Sequence, residues 1–529
     1  MTKEQDFAIR IRGLQMEAAG RILLKDAHLE VPRGELVLLV GSSGSGKSLT
    51  LSLLSGLFRP NRGVRIEGEI QVLGQDALKV ARGAGIPGTG IVFQDFALLD
   101  DVRSRANVQF GFDHREGSSA GAKGDSTSPV DQLLAEFRLP GDLYPAQMSG
   151  GMKQRLALAR AMAYQPELLF YDEPTSGLDP AMSREVAERI RAAHDQHQMT
   201  SVVVTHDLQS LVGIADRIVL LDPRAKTLRE VKPEGVHEAL EDLRSFRPSE
   251  QGPVIGSPFR LGAILHRFLE ATGDFVIAAI ATAYALVPRY PSLPWGRHFL
   301  WHDLRLTALG SAIPFLAIAG FISGFITTFF LFSLMPLKGF TEPVLVEEFI
   351  GALGYALYRV VIPGITTLLY ASRTGAAIAA DVGNRVLTRQ VDAMRSHGVD
   401  PSRYLLTSLA WTSLLGIPIL FVVSYFSARV AAVAVFLSTH SGHGPFAFND
   451  RFYTLVGLGD DGLLPLPGGT IHVLGKLLLS ALGTAGIAYH LAMRPKISGA
   501  AVAAGVTDTI IRATLFVLAV HLVFALFEF

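Results

Sequence analysis

The chain has 529 residues, with 48 Lys+Arg balanced by 48 Asp+Glu, and 49% of its residues are hydrophobic. It is too long for one hydrophobic core and, at a mean hydropathy of +0.33, too apolar for an ordinary soluble protein, while its balanced charge argues against a nucleic-acid partner. With no cysteine, disulfides, thiolate catalysis and cysteine metal sites are excluded.

The opening residues Met1–Asp6 lack the apolar core of a secretory signal, so the first half of the chain is expected in the cytoplasm. The apolar run Leu36–Val40 then leads into Gly41-Ser42-Ser43-Gly44-Ser45-Gly46-Lys47-Ser48, followed by the helix-like Leu49–Leu54. Strand, glycine-rich turn and helix start form the context in which this spacing cradles phosphate. Backbone N–H groups of the turn and the helix N-terminus converge on the phosphates, Lys47 reaches their oxygens, and Ser48 offers a hydroxyl to Mg²⁺. Nucleotide phosphates and Mg²⁺ are therefore the expected ligands.

Farther along, Leu168-Leu169-Phe170-Tyr171-Asp172-Glu173-Pro174 reads as a strand buried on both faces and ending in two carboxylates. Asp172 is placed to hold Mg²⁺, and Glu173 to orient or deprotonate an attacking water. A second strand, Ser201–Thr205, ends at His206, placed to meet the γ-phosphate from the other side. Between them lie Gly90–Phe93 followed by Gln94, then Met148-Ser149-Gly150-Gly151-Met152-Lys153-Gln154-Arg155, and Ser176-Gly177-Leu178-Asp179.

In this order the elements resemble an ABC transporter ATPase over residues 7–245. The resemblance implies that the nucleotide is ATP, with contacts from Gly41 through Leu49, and with Gln94 ligating Mg²⁺ and sensing the membrane domain. It also implies that Ser149, Gly150 and Gly151 bind the γ-phosphate of a nucleotide held by a second cassette, with Asp179 completing the nucleotide-binding set. One cassette per chain then requires at least a homodimer. The usual aromatic for adenine is missing near Ala18 and Ala19, since Phe7 is the only aromatic before Lys47.

The low-complexity stretch Glu116–Pro129 reads as a mobile insertion, and the proline-broken Arg247–Pro253 as a linker. The expected organisation is a nucleotide-binding domain over 1–246, a linker over 247–257 and a membrane domain over 258–529. The fold class is an α/β P-loop ATPase followed by an all-α domain of about five transmembrane helices plus an interfacial helix, the latter within 259–286. Leu306–Leu337 is free of charge and long enough to span, with a break expected at Pro314 or the Gly320/Gly324 pair. Further spans are expected at 347–371, 404–428, 470–493 and 509–527. The basic segments 373–403 and 494–512 should face the cytoplasm.

Between the second and third spans, Arg359-Val360-Val361-Ile362-Pro363, the Ala371–Gly383 string with Arg373, Gly375 and Asp381, Thr388-Arg389-Gln390 and Val399-Asp400-Pro401 resemble MlaE-type permeases, partners of MCE-domain proteins in bacterial lipid transport. Met152 in the signature matches the MlaF-type ATPases that serve them. The string departs from the pattern where Arg389 stands in place of a glutamate, as do Val360 and Asp381. The resemblance implies a short cytoplasmic helix over 382–398 seated on the cassette near Gln94, and ATP-driven movement of phospholipid or a related amphiphile in a bacterial inner membrane with a periplasmic MCE-type carrier. An exporter of another hydrophobic substrate and a mechanotransmitter that conducts nothing remain alternatives.

Phe321, Phe325 and Phe329 recur every four residues on one helix face, either lining a cavity for acyl chains or packing against lipid and neighbouring helices. Arg359 is an embedded cation suited to a lipid headgroup. His521 reads as a helix-interface hydrogen bonder. His440 and His443, in a Gly/Ser loop without nearby carboxylates, are not read as metal ligands.

Overall fold

Strand β3 (Leu36–Gly41) is buried along its whole length, and its alternating side chains serve two different cores. Leu36, Leu38 and Val40 face one, whereas Val37 and Leu39 face the other. The same period of two divides Leu169 and Tyr171 from Leu168 and Phe170 on β7 (Leu168–Asp172). A sheet covered on both faces explains why these strands read as continuous apolar runs. The computed structural model describes residues 7–42, 44–60, 63–80, 85–115, 128–206, 209–236, 261–333, 338–440, 444–456 and 469–528.

By contact, the chain divides into two compact units, Met1–Pro258 with Thr388–Pro401, and Phe259–Leu387 with Ser402–Phe529. In the first, a four-stranded antiparallel sheet runs β2-β1-β4-β5, from β1 (Phe7–Ala18), β2 (Arg21–Pro32), β4 (Val64–Val72) and β5 (Gln75–Asp76). The six-stranded sheet runs β10-β9-β3-β8-β7-β6, adding β6 (Thr89–Val92), β8 (Thr200–Thr205), β9 (Arg217–Asp222) and β10 (Thr227–Glu230). Its strands are parallel apart from β10. One core joins this sheet to the antiparallel one and to α1 (Lys47–Leu54). The other packs it against α2 (Ser104–Asp113), α3 (Pro129–Glu136), α4 (Gly150–Ala163) and α5 (Pro180–His197). The stretch expected as a linker lies outside the described residues, as does 116–127 of the insertion.

The second unit is helical, with α6 (Leu261–Ala285), α7 (Leu293–Thr307), α8 (Ala312–Ser333), α9 (Lys338–Tyr355), α10 (Ile362–Leu369) and α11 (Gly375–Leu387) before the inserted segment. Helix α12 (Gln390–Ser396) belongs to the first unit, and α13 (Leu405–Thr439), α14 (Pro445–Phe452), α15 (Thr470–Ala492) and α16 (Gly499–Glu528) complete the second. Five stretches among the described residues, 293–333, 345–387, 401–439, 470–492 and 499–528, are long and apolar enough to cross a membrane.

Several expectations change. The first span breaks at 308–311, where Gly310 adopts φ +64°, ahead of the expected points. Pro314 falls in the first turn of α8, where a missing N–H costs nothing. Gly320 and Gly324 are buried against α13, where an added Cβ would overlap the Ser424 and Ala428 carbonyls, so the pair sets a close helix crossing. The last helix begins at Gly499, ahead of the expected 509, and carries Asp508 and Arg512 inside it, 3.6 Å apart. Residues 382–387 finish α11, and a left-handed Arg389 (φ +57°) separates it from α12, so the expected 382–398 helix is only Gln390–Ser396.

Candidate functional site

The end of β3, the following turn and the first turn of α1 form one wall of a cavity of about 660 Å³. Gly41, Ser42, Gly44, Gly46, Lys47, Ser48 and Leu49 line it together with Gln94, Glu173 and His206. Residues distant in sequence converge because β8, β7 and β6 follow β3 in that order across the sheet, all parallel, and point their C-terminal ends the same way. Ser43 lies outside the described residues. Gly46 caps α1 with φ +102°, a backbone state that a side chain would strain, and its missing Cβ leaves room for Leu23. Ser45, in the same turn, buries its hydroxyl without a hydrogen-bond partner among the described residues.

The Lys47 ammonium donates to the carbonyls of Gly41 at 2.7 Å and Ser42 at 3.2 Å. Burial pulls its pKa down, against the opposing pull of Glu173 and Asp172. Asp172, at the end of β7, is 2% exposed. Burial pushes its carboxyl pKa up, and the Arg389 guanidinium opposes that rise. Glu173 follows in a left-handed conformation, φ +51°, with its N–H bonded to Val204 O at 2.8 Å. This turns its carboxylate toward His206, whose Nδ1 lies 2.6 Å and whose backbone N–H lies 3.2 Å from Glu173 Oε2. Gln94 Nε2 donates to Ser176 Oγ at 3.3 Å, leaving the amide oxygen as an acceptor.

Other residues singled out in the sequence lie elsewhere. Ser149 caps α4, accepting from Met152 N at 3.4 Å, and both it and Gly150 are exposed. Neither they nor Gly151 line the cavity. Asp179 caps α5, accepting from Ala181 N and Met182 N, each at 3.0 Å, which is a structural use of its carboxylate. Phe321, Phe325 and Phe329 lie on the exposed face of α8, with Phe325 and Phe329 stacked at 6.0 Å. Arg359 sits in a π-helical stretch, Ala356–Val361, with its guanidinium 5.0 Å from the Tyr355 ring and packed on Gly469. His521 Nε2 is 2.8 Å from Thr367 Oγ1, a contact between helices. His440 stacks on Phe436 at 4.8 Å, and His443 lies outside the described residues.

The segment 388–401 carries contacts that local sequence did not disclose. Arg389 Nη1 reaches Asp172 Oδ2 at 3.0 Å, with its guanidinium 5.8 Å from the Phe93 ring, beside Gln94. Gln390 Nε2 donates to Asp100 Oδ2 at 2.9 Å. Ala393 enters the core shared with α1, and the Arg395 carbonyl packs on Gly85, whose missing side chain admits it. His397 is buried against Tyr164 and Phe110, with ring centroids 5.2 Å and 5.7 Å away. Two signals pointed there: the resemblance, which implied a short helix seated on the cassette near Gln94, and the arginine at 389 in place of a glutamate.

Comparison with known proteins finds relatives of both kinds of domain. A family profile described as ABC transporter matches residues 24–176, and one described as Permease MlaE matches residues 302–527. A sulfate/thiosulfate import ATP-binding protein of Synechocystis sp. is 43% identical over 201 residues, covering 37% of this chain and 53% of that protein. The chain thus spans about half the length of that relative. Its counterpart from Caulobacter vibrioides is 34% identical over 269 residues, covering 48% of this chain and 75% of that protein. Among solved structures, a dimeric ATP-binding cassette in a post-hydrolysis state, bound to ADP and Pi, aligns with a TM-score of 0.35 and 26% identity, over 42% of this chain and 98% of that one. The chain belongs to the ABC transporter family, with an ABC-type ATPase domain fused to an MlaE-type permease domain.

Proposed function

We propose that two copies of this chain form an ATP-driven transporter of phospholipid or a related amphiphile in a bacterial inner membrane, with an ATPase of the MlaF type and a periplasmic MCE-type carrier as partner. The carrying observation is that one polypeptide joins the cavity of Lys47, Gln94, Glu173 and His206 to a permease domain of the MlaE type. Domains over 1–246 and 258–529 joined by a linker fit this division of labour. Ser149 and Gly150, exposed and apart from their own chain's cavity, are available to a nucleotide on a second copy, which supports the dimer. The exposed phenylalanine face of α8 supports an apolar cargo, and Arg359 supplies a cation suited to its headgroup. The sulfate and thiosulfate of the named relatives are not carried over, since identity to those proteins extends over less than half of this chain.

The donors fit a magnesium nucleotide. The Ser48 hydroxyl, the Gln94 amide oxygen and the Asp172 carboxylate are hard oxygen ligands. Among the described residues no group of three His, Cys, Asp or Glu could hold an ion alone, which suits a cation held partly by phosphate oxygens. Bound there, Mg²⁺ supplies charge neutralisation at the phosphates. Lys47, leaving the two loop carbonyls, contacts the phosphate oxygens. Glu173 takes a proton from a water attacking the γ-phosphorus in line, and the β–γ bridging oxygen departs with ADP. His206 holds the Glu173 carboxylate through its ring nitrogen and contacts the γ-phosphate.

Mass spectrometry of the detergent-purified dimer, wild type and Glu173→Gln with ATP, tests the reading. Co-purified phospholipid whose occupancy changes in the trapped variant is expected. A dimer that never retains an amphiphile would instead favour the mechanotransmitter, and retention of only a non-lipid hydrophobe would favour the exporter.

A further inference from the structure

Asp172 is almost wholly buried, and a buried carboxylate without a counter-charge is strongly disfavoured. The guanidinium of Arg389, 3.0 Å from Oδ2, supplies a counter-charge. Arg389 is held in place by three independent features. Its own backbone is left-handed at the N-cap of α12, its guanidinium lies over Phe93, and the next residue, Gln390, bonds Asp100. Its place in the chain lies between α11 and α12, so the group that reaches Asp172 is covalently continuous with the helical unit on both sides.

A guanidinium and a divalent cation drawn to one buried carboxylate repel each other in a poorly screened site, so each weakens the other's hold on it. We propose that Arg389 is a positioning residue that neutralises Asp172 when no magnesium nucleotide is bound and is displaced from it when one arrives, so that nucleotide loading and the seating of α12 are reciprocally linked. This rests on the reading of Asp172 as a magnesium ligand. Linkage requires the effect to run both ways. Magnesium nucleotide loosens the 389–396 segment, and removal of the arginine charge strengthens metal binding.

The test uses the full-length protein in detergent with a non-hydrolysable ATP analogue. Mn²⁺ affinity is read by electron paramagnetic resonance, and amide exchange of residues 389–396 is followed with and without the metal. Wild type is expected to exchange faster in this segment when metal joins the analogue. In Arg389→Gln, metal binds about tenfold tighter and the exchange difference disappears, while Arg389→Lys, which keeps the charge, stays near wild type. Analogue affinity in EDTA, equal in all three proteins, shows that the fold is intact. Weakened Mn²⁺ binding in Asp172→Asn, beside unchanged or weaker binding in Arg389→Gln, overturns the Arg389 proposal alone. Unchanged Mn²⁺ binding in Asp172→Asn removes the magnesium role of Asp172, and the proposal with it.

Discussion

Acid should release the 388–401 segment through one buried imidazole. His397 is buried among Phe110, Tyr164 and the end of α12, where burial foremost, and Arg160 next, lower its pKa to about 3. Its ring bonds the Ala393 carbonyl at 2.7 Å, which fixes the neutral tautomer with the proton on Nδ1. A histidine whose folded pKa is depressed contributes full stability above its unfolded pKa of about 6.5 and loses it as pH falls below that value. Between pH 7.5 and pH 5 the opened segment takes up a proton that the docked one refuses. That costs about 2 kcal/mol, or a roughly 30-fold rise in the opening constant. Hydrogen exchange of the amides of 390–398, corrected for intrinsic rates, reads this constant directly. His397→Phe keeps a ring against Phe110 and Tyr164 but cannot titrate, so the acid-driven rise should disappear, since Asp392, whose carboxyl burial pushes up, acts in the opposite sense. Equal pH dependence in wild type and His397→Phe would refute the reasoning.

Other perturbations test different parts of the molecule. Glu173→Gln should lower ATP turnover at least ~100-fold while leaving nucleotide affinity near wild type, and wild-type turnover in a phosphate-release assay would remove Glu173 from its proposed role. Gly324→Leu should destabilise the helical unit by about 1–3 kcal/mol or more, read as a lower thermal midpoint in detergent, because even a Cβ there overlaps the Ala428 carbonyl. Lys476 and Glu528 form an ion pair with side chains only 4% and 3% exposed. Glu528→Gln should cost about 3–5 kcal/mol by stranding the lysine charge, whereas Lys476→Met with Glu528→Met should be far milder; equal losses in thermal stability would contradict this.

The α/β class of the first half and the helical class of the second were legible because each depends on local pattern. A strand buried on both faces must be apolar throughout, and β3, β7 and β8 are buried at every residue. The glycine-rich turn is equally local, since Gly46 at φ +102° answers a backbone requirement within the loop itself. Helix limits were less legible. The last span is expected at 509–527, yet α16 starts ten residues earlier at Gly499 and carries Asp508 and Arg512 as an internal pair, and a paired charge does not halt a helix. Likewise Gly320 and Gly324 resembled a weak point in one helix, but their meaning lies in a second helix, α13, to which they give close access. The resemblance implies a nucleotide role for Asp179; that its carboxylate also caps α5 is decided by the local backbone.

By itself the sequence determined the family, the order of the two kinds of domain and the residues that could meet a nucleotide, because phosphate binding and membrane crossing both impose short-range patterns. Only tertiary structure decided which of those residues share a cavity and what counter-charge Asp172 receives. Arg389 lies 217 residues from Asp172 in the chain. No local periodicity links positions so far apart, and a buried carboxylate selects its partner by proximity in the folded molecule.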